Sequence, residues 1–492
     1  MKISIKNIIA LPLAAAIIAG AGCKRTLDIN QNPNQPSVDQ GTPRLIFPAA
    51  VATTAARVGG DLAILGAVWG EYATQSALSS QYRQLDAYNV DGSQLNAPYN
   101  GMFSSGLKNY QAVIDKSKEA QDWNFYLMGT VMKAYTTQVL VDLYDQIPYS
   151  EALQGSGNLN PKFDDGYSIY VDLLKQLDTA LAKNFSASTV TSPGTSDIVF
   201  GGDMAKWKQF ANTLELKMYL RMVNAKPAEA QAGIQKLYTN NAQFLSTDAA
   251  VGGFTNVAGK DNPMYEQNIR QLNTPDNLRA SRTMASFLQD RNDPRITYYY
   301  GSTSPGSIHQ GDFLSTDPTY GSAARLVQRA TDPVVFISAA ESYFLQAEAR
   351  ERYYAGLNAK SLYDMGVETA FSNMGSSSAA AAPFLAGVYA YPVAGTLSQK
   401  IEAIVVQKWI SFGYGVHYIE GFFERNRTGY PRTSPVYSTN AGYVPGEFVI
   451  SKNSVLAPGQ FPKRLVFPDV ERTRNSNTPA TVPITTKVWW AL

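Results

Sequence analysis

The sequence predicts a mainly α-helical fold: helical hairpins forming a scaffold, with long loop-rich insertions between them. Three observations predict it. Apolar residues recur three and four positions apart through several long windows, the spacing of one helix face. Two of these windows flank a short Gly-containing break, which makes a helical hairpin. The segments between windows are long and rich in Gly, Ser, Asn, Thr and Pro, and loops beyond about 15 residues are uncommon unless they carry function.

The chain opens on Lys2 and Lys6, followed by small and apolar residues from Ile8 to Gly22. That stretch falls short of the ~20 apolar residues that span a bilayer and reads as a secretion signal, residues 1–22. Cys23 follows directly and is the only cysteine among 492 residues. A thiol at the first mature position is the arrangement of a lipidated N-terminus. Residues 23–45 hold Asn30, Asn32, Pro33, Asn34, Pro36 and Pro43, the composition of an extended tether. Residues 46–492 then form one α-rich domain, with no later segment expected to reach membrane-spanning length.

Within that domain, Phe125, Met128, Met132, Tyr135, Val139 and Leu143 define one helix face. Pro148 cannot continue the helix. Asp164 and Asp165 are cap candidates for a helix over 167–181, and Asp203 for the next, with Trp207, Phe210, Leu214, Met218 and Met222 as its stripe. A further helix is expected from about Pro333 through Phe336 and Ala347 to Tyr354. Residues 355–358 break it, and a partner helix runs over 361–371. The size of this pair and its small crossing alanines resemble a tetratricopeptide unit. A last long helical stretch is expected over 397–425. Loops are expected at 184–202, 240–280, 297–331, 375–396 and 428–484.

Composition excludes much chemistry. Without Lys2 and Lys6, basic and acidic residues balance at 40 each, which argues against nucleic acid, where a basic face is the footprint. With Cys23 lipidated, no thiol remains for a nucleophile, disulfide or metal site. Only His309 and His417 are present; neither sits near a Gly-x-Ser-x-Gly elbow, and no His-Glu-x-x-His zinc pattern occurs. His417 lies among aromatic residues and is expected to be packed, whereas His309 lies in a Gly/Ser/Pro loop and is expected to be solvated. Glu341, Glu348 and Glu351 are expected to face solvent or pair with Arg350, and Glu424 to sit similarly beside Arg425. No acid stands in a recognisable catalytic setting, and no cofactor is implied.

The chain holds 29 tyrosines. Tyr82, Tyr88 and Tyr99 occur among Gln, Asn, Asp and Ser, and Tyr298, Tyr299 and Tyr300 precede a Gly/Ser/Pro loop that carries Tyr320. Flat aromatic faces with amide and hydroxyl partners suit carbohydrate, and aromatic side chains offer contact area at low entropic cost. These tyrosines are the ligand-binding candidates; the alternative for each is that it covers the domain's own core.

Several stretches resemble the SusD/RagB family of outer-membrane nutrient-binding lipoproteins, in its SusD-like branch. They are Leu27 to Asn34, Lys133-Ala134-Tyr135 through Val141 to Ala152, Phe200 to Asp203 with Trp207 and Phe210, Asn292 to Arg295, Glu341 to Ala349, Gln407-Lys408-Trp409, Pro462 to Pro468, and Val488-Trp489-Trp490. They occur in family order across nearly the whole chain. The resemblance implies tetratricopeptide-like helix pairs supporting a loop-rich ligand face. It implies lipid anchoring at Cys23 in the outer membrane, facing the cell surface. It also implies a SusC-like TonB-dependent outer-membrane transporter as partner, covered by this chain as a lid, and capture of a glycan, or a peptide in some members, without catalysis. A surface-anchored glycoside hydrolase is the competing expectation. Family ligand residues lie on variable loops, so the resemblance assigns none here.

Overall fold

A computed structural model describes residues 41–94, 96–190 and 192–492. Cys23, the signal and most of the tether lie outside the described residues. The helices of nine residues or more are α1 (Pro43–Val58), α2 (Asp61–Trp69), α3 (Lys108–Glu119), α4 (Trp123–Tyr144), α5 (Gly166–Leu181), α6 (Met204–Arg221), α7 (Pro227–Thr239), α8 (Arg282–Asp290), α9 (Ala339–Tyr353), α10 (Ala359–Asn373), α11 (Leu397–Ser411) and α12 (Ile419–Thr428). Three short antiparallel ribbons join β1 (Ala73–Gln75) to β5 (Leu278–Ala280), β2 (Gln146–Pro148) to β3 (Phe163–Asp165), and β4 (Ala249–Val251) to β6 (Val334–Ile337). The fold is mainly α, as expected.

Local chemistry sets most boundaries. Asp122 caps α4 by accepting the Phe125 N–H at 3.2 Å. Asp165 caps α5 through Ser168 at 3.0 Å, whereas Asp164 does not cap; it lies on β3 and accepts the Ser150 N–H at 2.7 Å. Asp203 caps α6 through Ala205 and Lys206 at 3.0 and 3.2 Å. The expected helix from Pro333 starts later: Val334 to Ile337 pair with β4, and Ser338 caps α9 by accepting the Glu341 N–H at 3.0 Å. Ala355, Gly356 and Asn358 all take positive φ (50°, 75° and 64°) and turn the chain into α10. The expected stretch 397–425 is two helices. Gly415, at φ 64°, breaks it, and a Cβ there would lie 2.1 Å from Val335 Cγ2.

Among the described residues one stretch, Pro43–Trp69, is apolar and long enough by composition to cross a membrane. Gly59 and Gly60 break it into α1 and α2, and its large apolar side chains from Phe47 to Trp69 are buried in the body. Phe47 meets Phe125 and Trp207 edge-on, with ring centroids 5.9 and 5.8 Å away. Trp69 packs on Phe422 at 5.1 Å, joining α2 to α12. Where α2 crosses the start of α12, a Cβ on Gly66 would lie 2.2 Å from the Ile419 nitrogen, so only glycine fits. Trp409 on α11 donates its indole N–H to the Gly70 carbonyl at 2.8 Å.

A buried ionic network ties α4, α6, α9, α11 and α12 together. Arg221 contacts Asp142 at 3.1 Å, Glu424 at 2.8 Å and Glu420. Lys217 bridges Glu341 at 3.0 Å and Glu420 at 2.8 Å. Lys408 pairs with Glu424 at 2.9 Å, and Arg427 reaches Glu348 through both of its terminal nitrogens at 2.7 Å. Glu341, Glu348 and Glu424 therefore face the interior, not solvent. Burial alone would raise the Glu341 carboxyl, but Lys217, His417 and Lys408 outweigh it and hold the group well below the usual carboxylate range. Each charge survives burial because it is paired.

Candidate functional site

An open cleft of about 580 Å³ lies between α2, a loop-rich segment over 81–94 with Pro98, and the segment 267–272. α2 supplies Asp61, Leu62 and Leu65. The loop supplies Tyr82, Gln84, Leu85, Val90 and Gln94, and Gln267, Gln271 and Leu272 face them. Gln267 sits on a π-helical turn, Glu266–Arg270, a geometry that recurs at functional sites.

The loop is held by hydrogen bonds that start inside the core. The Asp86 carboxylate is fully buried and accepts the Thr74 hydroxyl at 2.7 Å, the Gln75 N–H at 2.8 Å and the Gln310 amide at 2.8 Å. Burial pushes its pKa up to about 6 against the pull of those donors. Gln75 Oε1 accepts the Tyr82 N–H at 2.6 Å, which sets the backbone of the cleft's aromatic residue. Trp69 donates to the Leu85 carbonyl at 2.9 Å and pins the short helix Arg83–Asp86 to α2. The Gln94 amide donates to Gln84. Gly60 leaves room for Gln267: a Cβ there would lie 2.8 Å from its amide nitrogen.

The lining is chemically specific. Amides that both donate and accept surround an aromatic ring and an apolar floor, a mixture suited to a neutral, hydroxyl-rich ligand. Asp61 is the only acid among the described lining residues, and Arg57 pairs with it at 3.2 Å. A glycosidase needs two carboxyl groups about 5–9.5 Å apart, and the lining supplies one. A groove of about 620 Å³ between α5, α6 and α7 shows no aromatic face among its described lining residues.

The tyrosines divide. Tyr82 lines the cleft and is half-buried; burial, with Asp61 nearby, raises its pKa. Tyr88 is buried against Trp69 and Phe461 and accepts the Ser451 N–H at 3.3 Å. Tyr99 is buried beside Phe103 and Tyr144. Tyr299 donates to the Ile410 carbonyl at 2.6 Å and Tyr300 to the Tyr72 carbonyl at 2.7 Å, both inside the core. Tyr320 is buried and donates to Asp312 at 3.0 Å. Tyr298 is half-buried under the Arg329 guanidinium, 4.4 Å from its ring centre. The expectation of exposed faces is thus corrected for Tyr88, Tyr99, Tyr299, Tyr300 and Tyr320: packing and internal hydrogen bonds occupy them. Sequence reasoning noted glutamine around these tyrosines but singled out no glutamine as a candidate. The signal was the density of Gln75, Gln81, Gln84 and Gln94 around Tyr82.

The histidines and several other acids make internal contacts. His417 is buried and lies 3.1 Å from Glu341, as expected of a packed residue. His309 is half-buried, not solvated, and meets the Ser438 hydroxyl at 2.7 Å; burial lowers its pKa. Glu341, His417 and Glu420 cluster closely enough to ligate a cation, but the Lys217 ammonium already bridges both carboxylates. Glu351 pairs with Lys400 at 2.9 Å.

The fold and cleft define an α-helical scaffold protein with a cleft built largely from loops. Residues 49–449 match a SusD-like family model described as starch-binding and associating with the outer membrane, and the chain belongs to that family. Solved structures of similar fold include a SusD homologue from Bacteroides uniformis, with 22% identity, TM-score 0.73, and coverage of 91% of this chain and 99% of that one. A chitin-binding SusD homologue from Flavobacterium johnsoniae has 21% identity, TM-score 0.72, and coverage of 90% and 98%. A SusD/RagB family protein from Bacteroides thetaiotaomicron has 20% identity, TM-score 0.72, and coverage of 89% and 95%. No curated protein sequence matches the chain.

Proposed function

We propose that this chain is a lipid-anchored glycan-capture protein of the outer membrane that holds a neutral oligo- or polysaccharide in the Tyr82 cleft. The carrying observation is the convergence of Gln84, Gln94, Gln267 and Gln271 with Tyr82 above an apolar floor. The starch-binding description of the family and the chitin-binding SusD homologue support the same ligand class. Capture alone explains a lining with a single, paired carboxylate; it needs no general acid. The bound glycan passes to a TonB-dependent transporter barrel that this chain covers as a lid, with the Cys23 lipid and its tether as the fixed end of a hinge.

Calorimetry of the purified protein against maltooligosaccharides, chitooligosaccharides and a peptide panel tests the ligand class. A neutral glycan is expected to bind, and Tyr82→Ala to weaken it by about 1–3 kcal/mol. Binding of peptides alone sinks the glycan reading, and release of shortened sugars from the same panel sinks the non-catalytic one. Co-purification from outer membranes with a barrel protein tests the partner. Cys23→Ser is expected to release the protein from the membrane while leaving glycan affinity unchanged; loss of both overturns the hinge.

A further inference from the structure

A second, smaller pocket of about 350 Å³ lies on the scaffold and shares no lining residue with the cleft. Its walls are the π-helical segment Met102–Leu107, α3, α4, the turn 148–154 and α5. This volume falls within the ~300–1,000 Å³ of small-molecule sites, at the small end. Lys133 and Thr137 line it four residues apart on α4, hence on one helix face.

Both carry donors that the protein leaves unused. The Lys133 ammonium makes one hydrogen bond, to the neutral Gln111 Oε1 at 2.7 Å, and no ion pair with any carboxylate among the described residues. Burial lowers its pKa against the opposing fields of Asp172 and Asp115. The Thr137 hydroxyl is fully buried and has no hydrogen-bond partner. Several helical threonines bond back one turn, as Thr130 does to the Tyr126 carbonyl at 2.7 Å; Thr137 does not. The one acid among the described lining residues is engaged: Asp172 Oδ2 accepts the Tyr149 hydroxyl at 2.6 Å and the Gln176 amide at 2.5 Å. That pair fixes the Tyr149 ring at the pocket, 5.7 Å from Lys133 Nζ.

A half-buried ammonium with spare donors, on the same helix face as an orphan buried hydroxyl, calls for an anionic acceptor. Tyr149, Gln111 and Gln154 add a ring face and amides for hydroxyl groups. We propose that this pocket binds a hexuronic acid unit, its carboxylate on Lys133 Nζ and Thr137 Oγ1 and its ring beside Tyr149.

The test titrates the full chain with D-galacturonate and D-glucuronate, and with D-galactose and D-glucose as neutral counterparts, by ligand-observed NMR and calorimetry. The uronates are expected to bind and the neutral sugars not to compete with them. Lys133→Gln is expected to weaken uronate binding about tenfold or more, the scale of a lost charged hydrogen bond. The near-isosteric Thr137→Val, which threatens folding least, is expected to weaken it by a smaller factor. Tyr82→Ala should leave uronate affinity unchanged, which separates this site from the cleft. Absence of uronate binding, uronate binding indifferent to both α4 variants, or its loss in Tyr82→Ala would each overturn the assignment.

Discussion

Glu71 carries a carboxyl group sealed from solvent between β1, α8 and the C-terminal loop. It accepts the Thr283 hydroxyl, and the Val449 N–H at 3.1 Å. Burial dominates and raises its pKa from 4.5 to about 8, against the pull of Thr283, Arg425 and Val449 and with a push from Asp86. Between those two values the folded protein keeps a proton that the unfolded chain has lost. This contribution to stability is therefore full below pH 4.5 and fades as pH rises to 8. Glu71→Gln, neutral at every pH, is expected to flatten that decline and to gain about 1–3 kcal/mol over the parent at pH 8 in urea melts. An unchanged slope would show that Glu71 does not hold the proton. Tyr299→Ala is expected to cost about 3–5 kcal/mol of stability, in contrast to Tyr82→Ala, which removes only a half-buried ring. The tyrosine run at 298–300 was legible as aromatic surface, but its burial was not. Which ring meets solvent depends on where Ile410 and Tyr72 arrive, and local sequence carries no trace of that.

At the level of the element, caps and breakers were the readable part. Asp203→Ala removes the acceptor for two α6 backbone donors and is expected to cost about 1 kcal/mol, read as a shift in the urea midpoint. A larger loss would show that Asp203 does more than cap. Asp165, Asp203 and the break at 355–358 were legible because each acts within a few residues. Two boundaries were not. Val334 to Ile337 read as helix because apolar spacing cannot distinguish a short buried strand, and only β4 makes them one. Residues 397–425 read as one helix because their apolar pattern runs through Gly415, whose φ of 64° and close approach to Val335 belong to the tertiary fold. The second pocket was hidden for the same reason: Lys133 and Thr137 mark a helix face in sequence, while its other walls come from four separate segments.

Over the whole molecule, the ionic network fastens helices that are distant in sequence. Arg221→Met leaves Asp142, Glu420 and Glu424 without their shared cation and is expected to cost about 3–5 kcal/mol. Because the pairs are buried, added salt should not reproduce the loss; equal destabilisation of the parent by salt would contradict that. The mainly helical scaffold was legible in sequence because periodicity survives without knowledge of partners. The network was not, since Glu341, Glu348 and Glu424 look like any helical surface acids until their cations converge. The crossing of α2 and α12 at Gly66 has a consequence for the order of assembly. The Trp409 to Gly70 hydrogen bond beside it spans 339 residues of chain, so an apolar segment made early finds its cover only when synthesis is nearly done. Contacts this distant postpone folding. The α2–α12 crossing can therefore form only after most of the chain has been made.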